Sequence, residues 1–463
     1  MGAGVSCWRL ARAVSSLGQL GVVSGTALDQ ILARRLQDGD SGGDVRRSLA
    51  RFPVPAIARR VFEKYYVAGG KDARDSYVTI PMAGEARDRA FEELCIVANF
   101  VEVDLAREGH ANPVGINYLE KVQIPHLPSL YGAMLAGAGV VLMGAGIPTK
   151  IPGVLDRLAL HETATYPLPV TGALPGTDTL LTFVPEDFVG EGAAPLLRPA
   201  FLAIVASDVL ARTLARKANG RVDGFIVEGP TAGGHSAPPR GKLQLSDRGE
   251  PLYGDRDRVD LQKMRELGLP FWLAGGFGSP ERLREAIALG AAGVQVGSAF
   301  ALCEESGLRG DYRRALLDRA VAGTQRVFND PAASPTGFPF KVADLEGTVS
   351  DPDVYRARPR ICDLGYLREA YRTADGSLGF RCPSEPVSVY VSKGGLEAET
   401  AGRKCVCNAL IANIGHAQVR AGKHVEPGII TLGEELDGIH RFVARGASDY
   451  SAADVIAVMT AGA

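Results

Sequence analysis

VDGFIVEGPTAGGHSAPPRG, residues 222–241, sets a short apolar run against a glycine-rich loop. The run 224–227 is bounded by turn formers and predicts a buried strand, and the loop behind it carries glycines at 229, 233, 234 and 241. Gly233 and Gly234 have no side chains, so their backbone N–H groups can approach a ligand closely, and His235 projects into the same space. Of the seven histidines in the chain, His235 is the one in a chemical setting. The plainer reading is a solvent-exposed histidine in a Gly/Pro-rich turn.

Residues 270–300, PFWLAGGFGSPERLREAIALGAAGVQVGSAF, extend the pattern. They predict a strand over 270–274, a glycine turn at Gly275, Gly276 and Gly278, an amphipathic helix over 280–289, a second apolar strand over 293–296, then Gly297 and Ser298. Successive strand-to-glycine turns, each followed by a helix, are how α/β barrels build a phosphate site after their last two strands, and helix N-termini favour an anion there. One GG turn is a weak signal. The ordered set of strand–EGPTAGGH, strand–AGGFGSP and strand–QVGSAF is much more specific.

These three segments resemble the nitronate monooxygenase (2-nitropropane dioxygenase-like) family of FMN-dependent TIM barrels, which is related to flavin enoyl-ACP reductases. The resemblance extends to LGQLGVVSGTAL at 17–28 and GINYLEK at 115–121, and so over roughly residues 1–325. It implies an α/β fold of TIM (β/α)8 type. It also implies that FMN is held by Met1 and Gly2 at the opening turn, by Asn117, Glu228, Gly233 and Gly234 around the ring, and by Gly275, Gly276, Gly297 and Ser298 at the phosphate, with His235 as the catalytic group. The family often has glutamine where this chain has Glu228, and a carboxylate there needs a proton or a donor-rich partner. The strand that precedes the Met-Gly turn in the family is absent. A reading frame begun downstream of its natural start, or a barrel of fewer strands, accounts for this, and the two edges exposed by a seven-strand barrel favour the first.

Composition sets the outer bounds. A barrel of about 250 residues inside a chain of 463 leaves room for one large domain, residues 1–329, and a C-terminal extension, 330–463. A hydrophobic content of 46% supports a large core, and a net charge of −2 gives no electrostatic case for nucleic acid or an anionic membrane. No run of about 18 apolar residues and no signal-peptide pattern is present, so a cytoplasmic enzyme is expected. Seven cysteines in such a chain argue for free thiols.

In chain order, residues 7–17 predict a helix and 20–24 a strand. Residues 28–82 read as an insertion with broken helical patterns and a short strand, YVTIPM, at 77–82. A helix is expected over 85–108, a strand within 112–121, then helix, a strand over 140–143 and helix. Asn117 falls near a strand end, where an asparagine also serves to bond its own backbone. His161 ends a helix and reads as a cap rather than a ligand. Residues 163–197 predict a β-hairpin excursion able to serve as a lid. FLAIVAS and SDVLARTLARKA give a strand and a helix capped by Ser207 or Asp208.

The extension is expected to be mostly helical, with CDLGYLREAYR (362–372) and SAADVIAVM (451–459) as helices. Its Cys362, Cys382, Cys405 and Cys407 lack paired C-x₂-C knuckles and read as buried thiols rather than metal ligands.

Three functions remain open. The first is nitronate monooxygenase chemistry, taking a nitronate and O2 to a carbonyl compound and nitrite. The second is an FMN-dependent enoyl-thioester reductase using NAD(P)H. The third is a phosphate-binding barrel without flavin. The expected partners are small molecules, with neither nucleic acid nor membrane, and a homodimer is left open.

Overall fold

A computed structural model describes residues 2–174, 176, 179–420 and 424–461. Seven parallel strands form its centre: β1 (Gly21–Ser24), β2 (Val114–Leu119), β3 (Val140–Gly144), β4 (Ala200–Val205), β5 (Gly224–Glu228), β6 (Phe271–Ala274) and β7 (Gly293–Gln295). They are hydrogen-bonded in that order. The register runs from Gly21 opposite Val114 through Phe225 opposite Phe271 to Gly293 opposite Trp272. Alternation then decides the faces. Leu142, Leu202, Ile226 and Ala274 form one inner cluster, joined by Val22, Ile204 and Trp272. Val141, Phe201, Phe225 and Phe271 point outward into the main core under the helices.

The connecting helices begin where the chain supplies caps. Ser207 Oγ accepts the Leu210 N–H at 3.0 Å ahead of Asp208–Lys217. Ser279 Oγ accepts that of Arg282 at 3.3 Å ahead of Pro280–Ala288, whose first residue is a proline that needs no N–H partner there. Asp88 caps the long helix Arg89–Ala106.

The α/β barrel is therefore open. β1 and β7 each have one neighbour in the sheet, and residues of both line one cavity. Outside the gap lies Ala452–Thr460, whose Val455 and Met459 pack with Leu10 and Val14 of the helix Trp8–Ser16. An apolar strand joined ahead of the chain, or added as a peptide, pairs two free edges at once. It is expected to raise the melting temperature by roughly 5 °C or more. Thermal unfolding with and without the strand checks this, and an unchanged midpoint means that the open sheet needs no eighth strand.

Four expectations are corrected. YVTIPM is not a strand: its backbone bonds go to side chains, with Tyr77 N donating to Gln418 Oε1 at 2.8 Å and Val78 N to Gln37 Oε1 at 2.7 Å, so no ladder forms. CDLGYLREAYR is not a helix. Glu369–Arg372 pairs antiparallel with Leu378–Arg381 across a turn containing Asp375-Gly376, a strong hairpin signal that outweighs the helical spacing.

The extension is not mostly helical. Its described α-helices, Pro352–Ala357, Val387–Ser392, Val406–Asn413 and Ala452–Thr460, are short and separated by loops and by that hairpin. The hairpin Ala164–Leu168 with Thr179–Phe183 forms as expected, but none of its described residues lines the central cavity, so these residues form no cover over it. Its Leu181 and Phe183 are buried instead. No helix among the described residues is long and apolar enough to cross a membrane.

Candidate functional site

At the C-terminal ends of the strands the glycine turns converge. Gly2, Asn117, Glu228, Gly233, Gly275, Gly276, Gly297 and Ser298 all line one cavity of about 920 Å³. Gly234 and His235 do not, and Met1 lies outside the described residues. The walls are largely apolar, with Val22, Leu142, Leu202, Ile226 and Trp272 below the turns.

Polar and charged side chains also line the cavity, among them Gln19, Arg282, Gln295, Glu435 and Arg441. Asn117 sits inside β2, paired with Ser24 and Leu142. Its buried Oδ1 has no hydrogen-bond partner, which leaves an acceptor at the cavity wall. Burial pushes the Glu228 carboxyl up to about 7, against the pull of cations that include Lys341. Lys341 is fully buried, its Nζ lies 2.5 Å from Glu434 Oε1, and desolvation lowers its pKa.

His235 stands just behind the Gly233 turn. Its ring meets Phe340 at 4.8 Å between centroids, and Nε2 lies 2.7 Å from Ser334 Oγ. Burial, helped by the Lys121 ammonium, lowers its pKa to about 4, so the imidazole is neutral at ordinary pH. Lys121 itself rests 4.6 Å above the Phe338 ring.

One part of the site was absent from the sequence reading, the loop Thr431–Glu435 of the extension. Gly234 N donates to Thr431 Oγ1 at 2.7 Å, Glu434 N to Thr231 O at 3.0 Å, and Gly433 N to Ser298 Oγ at 2.8 Å. A methyl group on Gly233 would lie 2.8 Å from the Leu432 carbonyl carbon, and one on Gly276, whose φ is +76°, would strike the Glu435 carboxylate. The only signal in the sequence is an apolar run, PGIITLG, closed by two acids.

The set suits a flavin at the Asn117 end, where an unpartnered acceptor and a near-neutral carboxyl stand over apolar walls in a cavity within the usual ligand range of about 300–1,000 Å³. At the other end Glu435 stands against Gly276, and a phosphate bound there requires that carboxylate to turn away or take a proton.

Comparison with known proteins places a family on part of this frame. Residues 199–328 match the nitronate monooxygenase family. That segment runs from β4 to past β7 and holds all three glycine turns, whereas the segments at 17–28 and 115–121 fall outside it. A nitronate monooxygenase of Pseudomonas aeruginosa is 36% identical over 120 residues, 26% of this chain and 32% of the relative. One of Paraburkholderia phytofirmans is 28% identical over 186 residues, 40% of this chain and 48% of the relative. The chain thus spans less than half the length of these nitronate monooxygenases. Among solved structures, nitroalkane oxidase from Streptomyces ansochromogenes aligns over 100% of this chain and 93% of its own, at 17% identity and a TM-score of 0.46.

Glu228 offers a test of the site that needs no ligand. A carboxyl raised from about 4.5 to about 7 is protonated in the folded chain while the unfolded chain is already ionised, so stability falls as pH rises through that window and the penalty is complete above it. One pKa unit corresponds to about 1.4 kcal/mol, and the partial exposure of Glu228 discounts the total. Glu228→Gln is expected to be more stable than the parent by on the order of 2 kcal/mol at pH 8, with no gain below pH 4.5. Urea unfolding at the two pH values checks this, and a pH-independent difference would remove the buried-acid assignment.

Proposed function

We propose that this chain is an FMN-dependent oxidoreductase that oxidises alkyl nitronates with O2 to a carbonyl compound and nitrite. The observation that carries this reading is the matched segment 199–328, whose glycine turns open on the same cavity as the unpartnered Asn117 Oδ1. Bound FMN would supply the electron acceptor; the protein's part is placement and proton handling. Gly275, Gly276, Gly297 and Ser298 would hold the phosphate. Asn117, Glu228 and Gly233 would surround the ring, with Met1 and Gly2 at the opening turn, while Gly234, outside the lining and bonded to Thr431, would brace the Gly233 turn. The Asn117 oxygen accepts a ligand donor, and protonated Glu228 donates. Neutral His235 stands behind the Gly233 turn and outside the lining, and it would take a proton from the carbon beside a nitro group, or steer an anionic nitronate, only for a substrate that reaches past that turn. A cytoplasmic setting and small-molecule partners accord with this reading.

A second reading is favoured by the cavity itself. Its apolar walls, Val22, Leu142, Leu202, Ile226 and Trp272, suit an acyl chain, so the same cofactor would serve an enoyl-thioester reductase using NAD(P)H, with His235 as proton donor to the α-carbon.

An absorbance spectrum of the purified protein is expected to contain flavin bands; without them the reading reverts to a phosphate-binding barrel lacking flavin. Steady-state assays with propionate-3-nitronate plus O2, and with a crotonyl thioester plus NADPH, then separate the two reactions.

A further inference from the structure

The four cysteines of the extension, scattered over 45 residues of sequence, come together in the fold. The Cys362 thiol is hydrogen-bonded to that of Cys382. Cys407 Sγ accepts backbone N–H groups of Tyr366 and Leu367, which ties it to the segment carrying Cys362. Cys405 Sγ, two residues away, receives Asn408 Nδ2 at 3.5 Å. The Arg368 guanidinium faces the thiols of Cys362, Cys382 and Cys407, and its position is fixed by bonds to Gly365 O at 3.1 Å and Ala83 O at 2.6 Å. All seven cysteines are free thiols, and among the described residues no group of three or more His, Cys, Asp or Glu is placed to hold a metal ion.

Cys362 and Cys382 differ from the other two in where they sit. Cys382 directly follows the antiparallel hairpin Glu369–Arg372 with Leu378–Arg381, and Cys362 precedes it by seven residues. The same hairpin pairs with Val170–Thr171 of the barrel excursion, so it ties the extension to the barrel. Cys362 is partly exposed, whereas Cys382 is 5% exposed. Cys362 is therefore the more accessible residue of the two, and Cys382 is the shielded one.

We propose that Cys362 and Cys382 are a redox-responsive pair that closes to a disulfide under hydrogen peroxide and staples this hairpin. The sulfur of the partly exposed residue Cys362 attacks one peroxide oxygen, the O–O bond breaks, and the sulfur becomes a sulfenic acid as one water leaves. The Cys382 sulfur then attacks the oxidised sulfur, an S–S bond forms, and the sulfenic hydroxyl departs with the thiol proton as a second water. Two thiols and one peroxide become one disulfide and two waters. The contact with Cys382 and burial both push the Cys362 thiol up, so the reaction is slow and stoichiometric rather than catalytic. Arg368 supplies the positive charge that a passing thiolate requires.

The test uses the full chain. After peroxide treatment and digestion without reductant, a peptide pair joining residues 362 and 382 is expected, two hydrogens lighter than its parts, and thiols titrated in denaturant fall from seven to five per chain. Cys382→Ser is expected to abolish the crosslink and leave Cys362 as a sulfenic acid that dimedone captures, while Cys405→Ser keeps the crosslink. Hydrogen exchange of residues 369–381 is expected to slow several-fold on oxidation in the parent only. A crosslink to Cys405 or Cys407 in place of Cys382, seven intact thiols after treatment, or zinc retained stoichiometrically by the reduced chain and lost in Cys362→Ser would each overturn the proposal. Labelling of the untreated parent with iodoacetamide gives a readout that does not depend on any variant folding. Cys362 is expected to react before Cys382, and the reverse order would overturn the assignment of the entry thiol.

Discussion

His235→Asn is expected to leave FMN content unchanged and to cut turnover of neutral nitroalkanes or enoyl thioesters by about 10²- to 10⁴-fold. The side chain lies outside the cavity lining and packs on Phe340, so its loss takes nothing from the walls that would grip the cofactor. Asparagine keeps polarity near Ser334 but cannot transfer a proton. With a pKa near 4 the imidazole is already a free base at neutral pH. The parent's kcat/KM for a neutral nitroalkane is therefore expected to stay flat with falling pH until about 4, well below the ordinary histidine range. Preformed nitronates need no carbon deprotonation, and their oxidation is expected to fall less than tenfold. Equal loss on both substrates would point to anion steering, and full activity on both would remove His235 from the mechanism.

Gly297→Asp is expected to weaken FMN retention by roughly a hundredfold or more. Gly297 has φ −115°, which any residue adopts, and nothing lies within 4 Å of where its Cβ would stand. An aspartate therefore fits without strain and brings its carboxylate into the cavity beside Ser298. Two like charges about 4 Å apart at an effective dielectric near 20 repel by about 4 kcal/mol, enough to outweigh the donors that hold a phosphate. The flavin-to-protein ratio after gel filtration reads the effect, and Gly297→Ala, which adds bulk without charge, is expected to keep its flavin. Undiminished flavin in the aspartate variant would move the phosphate away from this turn. Gly276 is a poorer probe because substitution there meets both a positive φ and the Glu435 carboxylate.

The barrel was legible because most of its strands are buried along nearly their whole length. Such strands read as short unbroken apolar runs ended by glycine, and 140–143, 224–227, 270–274 and 293–296 each fall within a residue or two of the observed bounds. YVTIPM looks the same in sequence, but whether a strand forms depends on what its backbone bonds to. Gln37 and Gln418, far off in the chain, take that place. The site divides in the same way. Its glycine turns carry their own local signature, whereas Thr431–Glu435 acts through backbone N–H groups to Ser298 and Thr231 and through the Thr431 hydroxyl to Gly234, contacts that no local pattern announces. His235 was visible as a candidate, but its separation from the cavity lining comes from Phe340 and Ser334, more than ninety residues later.

The stitching of Thr431–Glu435 onto the turns of Ser298 and Gly234, 135 and 197 residues earlier, also fixes an order of events in the life of the molecule. The strands β4 to β7 can form their ladder as they emerge during synthesis, yet Ser298 and Gly234 receive their final partners only after residue 433 has been made. Capture of the proposed flavin would then belong to a late stage. Contacts that close so long a span of chain are also among the slowest to find, and half-assembled chains with bare sheet edges are the species that proteases and aggregation remove first.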